Sequence, residues 1–214
     1  MRSKTMRMTI VGLIALSIAV ASHAQRLPDE PAPRTVQSIR SSLPASYAAA
    51  LAMWKSPEDI AQFIDATFQY DRARALELAE NPDGSERRAA IHAPEALFAK
   101  PAGVCVDLAR FGVETLHRID TRYQPRYLMI EFEPITVSGR TLRRHWVALF
   151  ERDSALWAFA DSWRPGHVAG PYPSLDAFIA DYALARDRKI VAWQLRDGFE
   201  RRKRAHKNAS LISR

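Results

Sequence analysis

One cysteine, Cys105, is all the thiol chemistry that 214 residues contain. A single thiol forms no internal disulfide, so no disulfide framework staples this chain. No C-x-x-C and no H-E-x-x-H occurs, and His92, His117 and His167 share no metal-ligand spacing. A glycine-rich phosphate loop is missing as well. The apolar run Thr9–Ala21 is well short of the roughly 20 residues that span a bilayer, which argues against a membrane helix. No cysteine stands directly after that run, so a lipid-anchored lipoprotein is not expected. Internal repeats and low-complexity segments are absent.

Acidic residues are missing from both ends. Residues 1–24 hold Arg2, Lys4 and Arg7, and residues 201–214 hold Arg201, Arg202, Lys203, Arg204, Lys207 and Arg214. The body between them carries 22 basic and 24 acidic side chains, a net of −2, although the whole chain is formally +7. A nucleic-acid-binding surface spread over the domain is therefore not expected. The basic tail 201–214 reads as a solvated terminus, or as a weak contact for anionic lipid or cell-wall polymer.

What is present begins with an export signal. Residues 1–24 combine a basic start, an apolar run, and Ser22-His23-Ala24 before a cut ahead of Gln25. The expectation is a secreted or periplasmic chain. Residues 25–35 (QRLPDEPAPRT) read as a proline-rich, charged linker, and 36–200 as one domain with enough chain for a core. In an oxidising compartment a lone cysteine is either a small buried hydrophobe or a thiol kept for chemistry.

Residues 36–54 are apolar and alanine-rich. Ser56-Pro57 opens a helix whose stripe is Ile60, Phe63, Ile64, Thr67 and Phe68. Asn81-Pro82-Asp83-Gly84 is a turn, and 94–100 one short helical turn. Cys105, Leu108, Ala109, Gly112, Val113 and Leu116 then form the stripe of a helix ending near Ile119. Strands follow at 126–133, 142–151, 156–161 and 189–195, with a helix over 174–185 capped by Ser174. Helices first and an antiparallel meander afterwards define an α+β fold, helices packed on one side of a sheet.

Three residue types stand in a chemically meaningful order. Cys105 starts a helix, where unpaired N–H groups favour a thiolate. His145 lies on a strand, and Asp161 ends the next one. With the hairpin turn at 151–154, His145 and Asp161 are expected to sit directly opposite each other. Asp161 then orients the imidazole and His145 activates the thiol. The Cys105 N–H is an oxyanion donor, Gly103 leaves room for a substrate backbone, and Gln62, Gln69 and Trp54 are candidates for a second donor. Trp163 and Tyr172 line the cleft or pack in the core. Taken singly, each member has an ordinary reading as packing, strand or cap.

The segments GVCVDLARFGVETLHR and RHWVALFERDSALWAFADSW resemble the transglutaminase-like superfamily of papain-like cysteine enzymes. That family carries G-x-C with a small residue four on, H-x-W/V on a strand, and a tryptophan shortly before an aspartate. Gly103, Cys105, Ala109, His145, Trp146, Val147, Trp157 and Asp161 stand at those positions, and Phe68-x-Tyr70-Asp71 resembles the segment before the cysteine. The resemblance spans about residues 55–165. It implies a cysteine helix packed on an antiparallel sheet, and acyl transfer through a thioester with a Cys105–His145–Asp161 triad and no cofactor. A peptidase or amidase acting on a protein or peptide of the cell envelope is the expectation. The alternatives are an amine-accepting crosslinker and a non-catalytic envelope scaffold. One related group depends on calcium and has acidic residues flanking its cysteine. Here Val104 and Val106 flank it and only Asp107 remains, which argues against calcium there.

Overall fold

The structure is a computed structural model that describes residues 26–33, 43–85 and 89–199. The export signal and the basic tail expected from the sequence lie outside the described residues. Helices α1 (Tyr47–Met53), α2 (Pro57–Thr67), α3 (Arg72–Leu78), α4 (Pro94–Ala99) and α5 (Cys105–Ile119) come first. Two short strands, β1 (Gln69–Tyr70) and β2 (Ala102–Gly103), pair in parallel between them. Strands β3 (Arg126–Val137), β4 (Arg140–Arg152), β5 (Ala155–Phe159) and β6 (Ala169–Tyr172) follow, then α6 (Leu175–Arg186) and β7 (Ile190–Arg196). The sheet runs β6-β5-β4-β3-β7 and every neighbour is antiparallel. The fold is α+β, with the cysteine-bearing helix packed on an antiparallel sheet.

Local chemistry sets the boundaries. Ser56 accepts the Asp59 N–H while Asp59 accepts the Ser56 N–H, a reciprocal cap that starts α2. Ser174 accepts the Ala177 N–H and starts α6. Asp153 and Ser154 both have positive φ and close a two-residue hairpin between β4 and β5.

The helices do not all lie on one side. Trp146, Ala148, Phe150 and Phe159 pack with Leu108, Ala109, Phe111 and Leu116 of α5. Leu128, Ile130, Phe132, Val147 and Leu149 face the other way and pack with Phe178, Ile179 and Tyr182 of α6. The sheet is thus a middle layer covered on both faces. Strands β3 and β4 are apolar at successive positions because they are buried on both sides.

The span expected to be a linker is packed where it is described. Leu27 is only 1% exposed and belongs to the α5-side core, and Asp29 is buried among charged groups. An apolar anchor and a buried ion pair hold residues that composition alone marks as loose.

Candidate active site

Cys105 is the first residue of α5, after Val104 as N-cap. The start of the helix is fixed by Asp107, whose carboxylate is fully buried. It accepts the Val104 N–H at 3.0 Å and the His92 N–H at 2.8 Å. Arg74 of α3 grips the same carboxylate with Nε at 2.7 Å and Nη2 at 2.8 Å. A buried anion at the third helical position offsets the positive end of the helix dipole, and the arginine supplies the counter-charge. Asp107 thus positions the cysteine helix. Gly103 lies against this carboxylate: a Cβ there would lie 3.0 Å from Asp107 Cβ and 3.2 Å from Leu97 Cδ1.

His145 and Asp161 meet by another route than direct cross-strand pairing. The β4–β5 register pairs Ala148 with Phe159 and Arg152 with Ala155, one residue away from the expected alignment. Moreover, His145 falls on the α6 face with Val147 and Leu149, whereas strict alternation through Trp157 and Phe159 would put Asp161 on the α5 face. Ala160 resolves both. Its φ of 52° takes the chain out of the strand and brings Asp161 back beneath α6. There His145 Nε2 lies 2.8 Å from Asp161 Oδ1. Tyr182 donates its hydroxyl to Asp161 Oδ2 at 2.8 Å, and the Trp163 N–H donates to Oδ1 at 2.8 Å. The imidazole is stacked on the Tyr182 ring, centroids 6.0 Å apart.

Cys105 reaches the histidine at the place where β5 leaves the sheet. Beyond the Ala148–Phe159 pair no described strand covers β4 beside His145 and Trp146, and the Trp146 main-chain N–H is one of the groups that pull the Cys105 thiol pKa down. The Cys105 sulfur, a ring nitrogen of His145 and a carboxylate oxygen of Asp29 all lie within 4.8 Å of one another. His145 Nδ1 is 3.1 Å from Asp29 Oδ1, yet its N–H does not point at that oxygen. The charge attraction is present and the directed hydrogen bond is not. Asp29 is in turn held by Arg186 Nη2 at 2.5 Å.

The electrostatics follow from this packing. Burial pulls the His145 pKa down, but the Asp29 and Asp161 carboxylates outweigh it and hold the ring well above its usual 6.5. Burial pushes Asp161 up, and His145, Arg186 and the Trp163 N–H bring it below the usual value. Asp29 is depressed further, by His145 and Arg186 against burial. Cys105 goes the other way from the expected activation. Burial pushes the thiol up, His145 pulls it down, Asp29 pushes it up again, and the net displacement is upward.

Two groups of residues near the centre were outside the sequence-based expectation. Asp29 lay in a span without periodicity, so nothing local marked it. Tyr182 and Arg186 stand one helical turn apart on the stripe of Phe178 and Ile179, and a buried arginine on such a stripe implies a buried anion. Tyr70, quoted only within the family-like segment, has a phenol kept protonated by burial and by the negative charge of Asp29. Among the suggested oxyanion donors, Trp54 is packed against Phe63, Phe98 and Phe111, and Gln62 and Gln69 are exposed. Trp163 and Tyr172 pack on α6 against Tyr182 and Phe178. Asp29, Cys105 and His145 also form the one described group with donor atoms close enough to hold a metal ion. Arg186 beside Asp29 puts a positive charge there instead.

No protein-family model matches the chain, and no curated protein matches it. Comparison with solved structures finds LapG of Legionella pneumophila at 18% identity and a TM-score of 0.34. The match covers 64% of this chain and 62% of that one, so the chain spans less than two thirds of that protein's length.

Proposed function

We propose that this chain is a cysteine acyl-transfer enzyme, a peptidase or amidase with a transglutaminase-like arrangement. Cys105 attacks a carbonyl carbon, and His145 takes the thiol proton and returns it to the leaving amine. Asp161 holds the imidazole through Nε2, and water then releases the acyl group from sulfur. The observation that carries this reading is the double engagement of His145. One nitrogen is fixed at 2.8 Å by a carboxylate that is itself locked by Tyr182 and Trp163, and the ring lies within 4.8 Å of a sulfur at a helix start. The Cys105 N–H, at the first helical position, serves as an oxyanion donor in this reading.

The substrate in this reading is a protein or peptide of the cell envelope, reached after export on the 1–24 signal. Among the described residues no helix is long and apolar enough to cross a membrane. The burial of Cys105 favours a second reading, a non-catalytic scaffold.

The two readings separate in one experiment. On prolonged incubation with p-nitrophenyl acetate, Cys105 is expected to take up an acetyl group that hydroxylamine removes. Cys105→Ala takes up none, and His145→Ala acylates about 10²–10⁴ times more slowly, the usual range for a lost general base. Cys105 that stays unacylated in folded wild type and in folded Asp29→Asn alike, where free cysteine reacts, would overturn the proposal in favour of the scaffold.

A further inference from the structure

Residues 26–33 lie across the catalytic centre just described, and their anchors converge on Asp29. Leu27 is sunk in the core, and its carbonyl accepts the Glu30 N–H to form a tight turn. Ser162, next to Asp161, donates to the Asp29 carbonyl at 3.0 Å. Arg186 donates to the Pro28 carbonyl at 3.0 Å and to Asp29 Oδ1. Glu30 is paired with Arg72 of α3. This turn delivers one carboxylate to the nitrogen of His145 that Asp161 leaves open.

Charge balance says what that carboxylate does. The ion-paired set at the centre is two cations, His145, whose pKa the carboxylates raise, and Arg186, with two carboxylates, Asp161 and Asp29; Arg188, outside the set, is also attracted to Asp29. The set is neutral while Cys105 remains a thiol. A thiolate would add an uncompensated buried charge, which proteins avoid. Without Asp29 the same two cations face one carboxylate, and the thiolate becomes the balancing anion. Asp29 and the Cys105 thiolate are thus rivals for one place.

Resting on the proposed function, we propose that Arg186 and His145 form a subsite for a side-chain carboxylate beside Cys105, that the chain fills it with its own Asp29, and that residues 26–33 thereby hold the enzyme latent. Arg186 is suited to the task because its guanidinium is braced by the Tyr182 hydroxyl at 3.0 Å and lies over the Trp163 ring. An acidic side chain arriving on a substrate or regulator would use the same cradle once the turn is displaced.

The test measures alkylation, not turnover. Cys105 is the sole cysteine, so iodoacetamide labelling of the full chain at pH 7 reports on it alone. Asp29→Ala and Asp29→Asn are each expected to label at least about tenfold faster than wild type, the change that one pKa unit gives. Formate at about 100 mM should slow Asp29→Ala back toward wild type by replacing the missing carboxylate, and sodium chloride at equal ionic strength should not. Folded Asp29 variants that label at the wild-type rate would overturn the latency. Formate acting no differently from chloride would overturn the subsite. The asparagine variant preserves the shape of the turn, and protection by formate requires a folded cradle, so the test survives a loss of stability in the alanine variant. Fast labelling of the variants without any acylation of Cys105 by ester would remove the proposed enzyme activity and leave the subsite standing.

Discussion

Gly112 and Ala160 form a pair whose coupling tests how Asp161 is positioned. Gly112 is buried in the middle of α5, against the sheet. A Cβ added there would lie 2.6 Å from Ala160 Cβ, 3.2 Å from Ala148 Cβ and 3.3 Å from Phe159 Cζ. Carbon atoms pack best at about 3.5–4.0 Å, so the first contact overlaps by roughly an ångström. Ala160 and Ala148 carry their methyls directly on the chain, so relief requires moving α5 or the turn before Asp161. Gly112→Ala gains about 1 kcal/mol of helix propensity. Overpacking costs about 1–3 kcal/mol, toward the upper end here because neither partner can rotate away. The expected net is a loss of about 1–2 kcal/mol. Ala160→Gly removes a left-handed penalty of about 1–2 kcal/mol. It also loses about 0.8 kcal/mol of methyl burial and frees the unfolded chain by about 0.4–1 kcal/mol, for a change near zero. In the double variant the worst overlap is gone and the helix gain remains. Its coupling energy should be about 2 kcal/mol in favour of the pair. Urea unfolding followed by tryptophan fluorescence measures all three variants, with an unchanged m-value as the control. Additivity within about 0.5 kcal/mol would refute this account of the turn at Ala160.

Two further outcomes follow from the buried charges. Arg74→Ala leaves the Asp107 carboxylate with main-chain N–H donors only, and should cost about 3–5 kcal/mol in urea unfolding; a loss under about 1 kcal/mol would mean that the arginine is not what anchors the start of α5. For pH, Asp29 and Asp161 are depressed from 3.8, so their stabilisation is present above about pH 4 and lost as pH falls through their folded values; His145 is raised above 6.5, so its stabilisation is complete below that value and lost as pH rises through the folded one. The melting temperature should therefore plateau between about pH 4 and 6.5 and fall on both sides, and His145→Gln should flatten the alkaline fall; an unchanged alkaline slope in that variant would refute the assignment.

The residues reveal much of this unevenly. The stripe from Cys105 to Leu116 gave α5 its observed end at Ile119, because one long amphipathic period dominates that segment. The strands 126–133, 142–151, 156–161 and 189–195 were legible from alternation, and their observed bounds run longer or shorter by a few residues. Strand β6 was not legible, because Ala169-Gly170-Pro171-Tyr172 is short and carries two residues that strands disfavour. The second face of the sheet was missed for a different reason. Leu128, Ile130 and Phe132 alternate with Tyr127 and Met129, and apolar residues on both parities mean burial on both faces. Cys105, His145 and Asp161 were singled out in sequence and are neighbours in space, but the pairing argued for the last two was off by one residue. No pattern of residue types announces a positive φ at Ala160. Asp29 was invisible since its contacts, to Arg186 and His145, span more than a hundred residues.

The early departure of β5 ties these features together. A strand that stops at Phe159 leaves β4 open beside Trp146 and His145, in the middle of a five-stranded sheet. Main-chain donors buried there need partners, since an unpaired buried N–H costs about 1–3 kcal/mol. The start of α5 brings a sulfur whose pKa the Trp146 N–H pulls down, Asp161 returns through the Ala160 turn to one nitrogen of His145, and Asp29 comes to the other. A sulfur accepts a hydrogen bond weakly as a thiol and strongly as a thiolate. The gap therefore favours an anion at Cys105 as soon as no other anion occupies it. The same missing strand that leaves a place for the Cys105 sulfur leaves one that a carboxylate can fill. A centre of this build needs either a negatively charged sulfur or a substitute for it, and residues 26–33 supply the substitute.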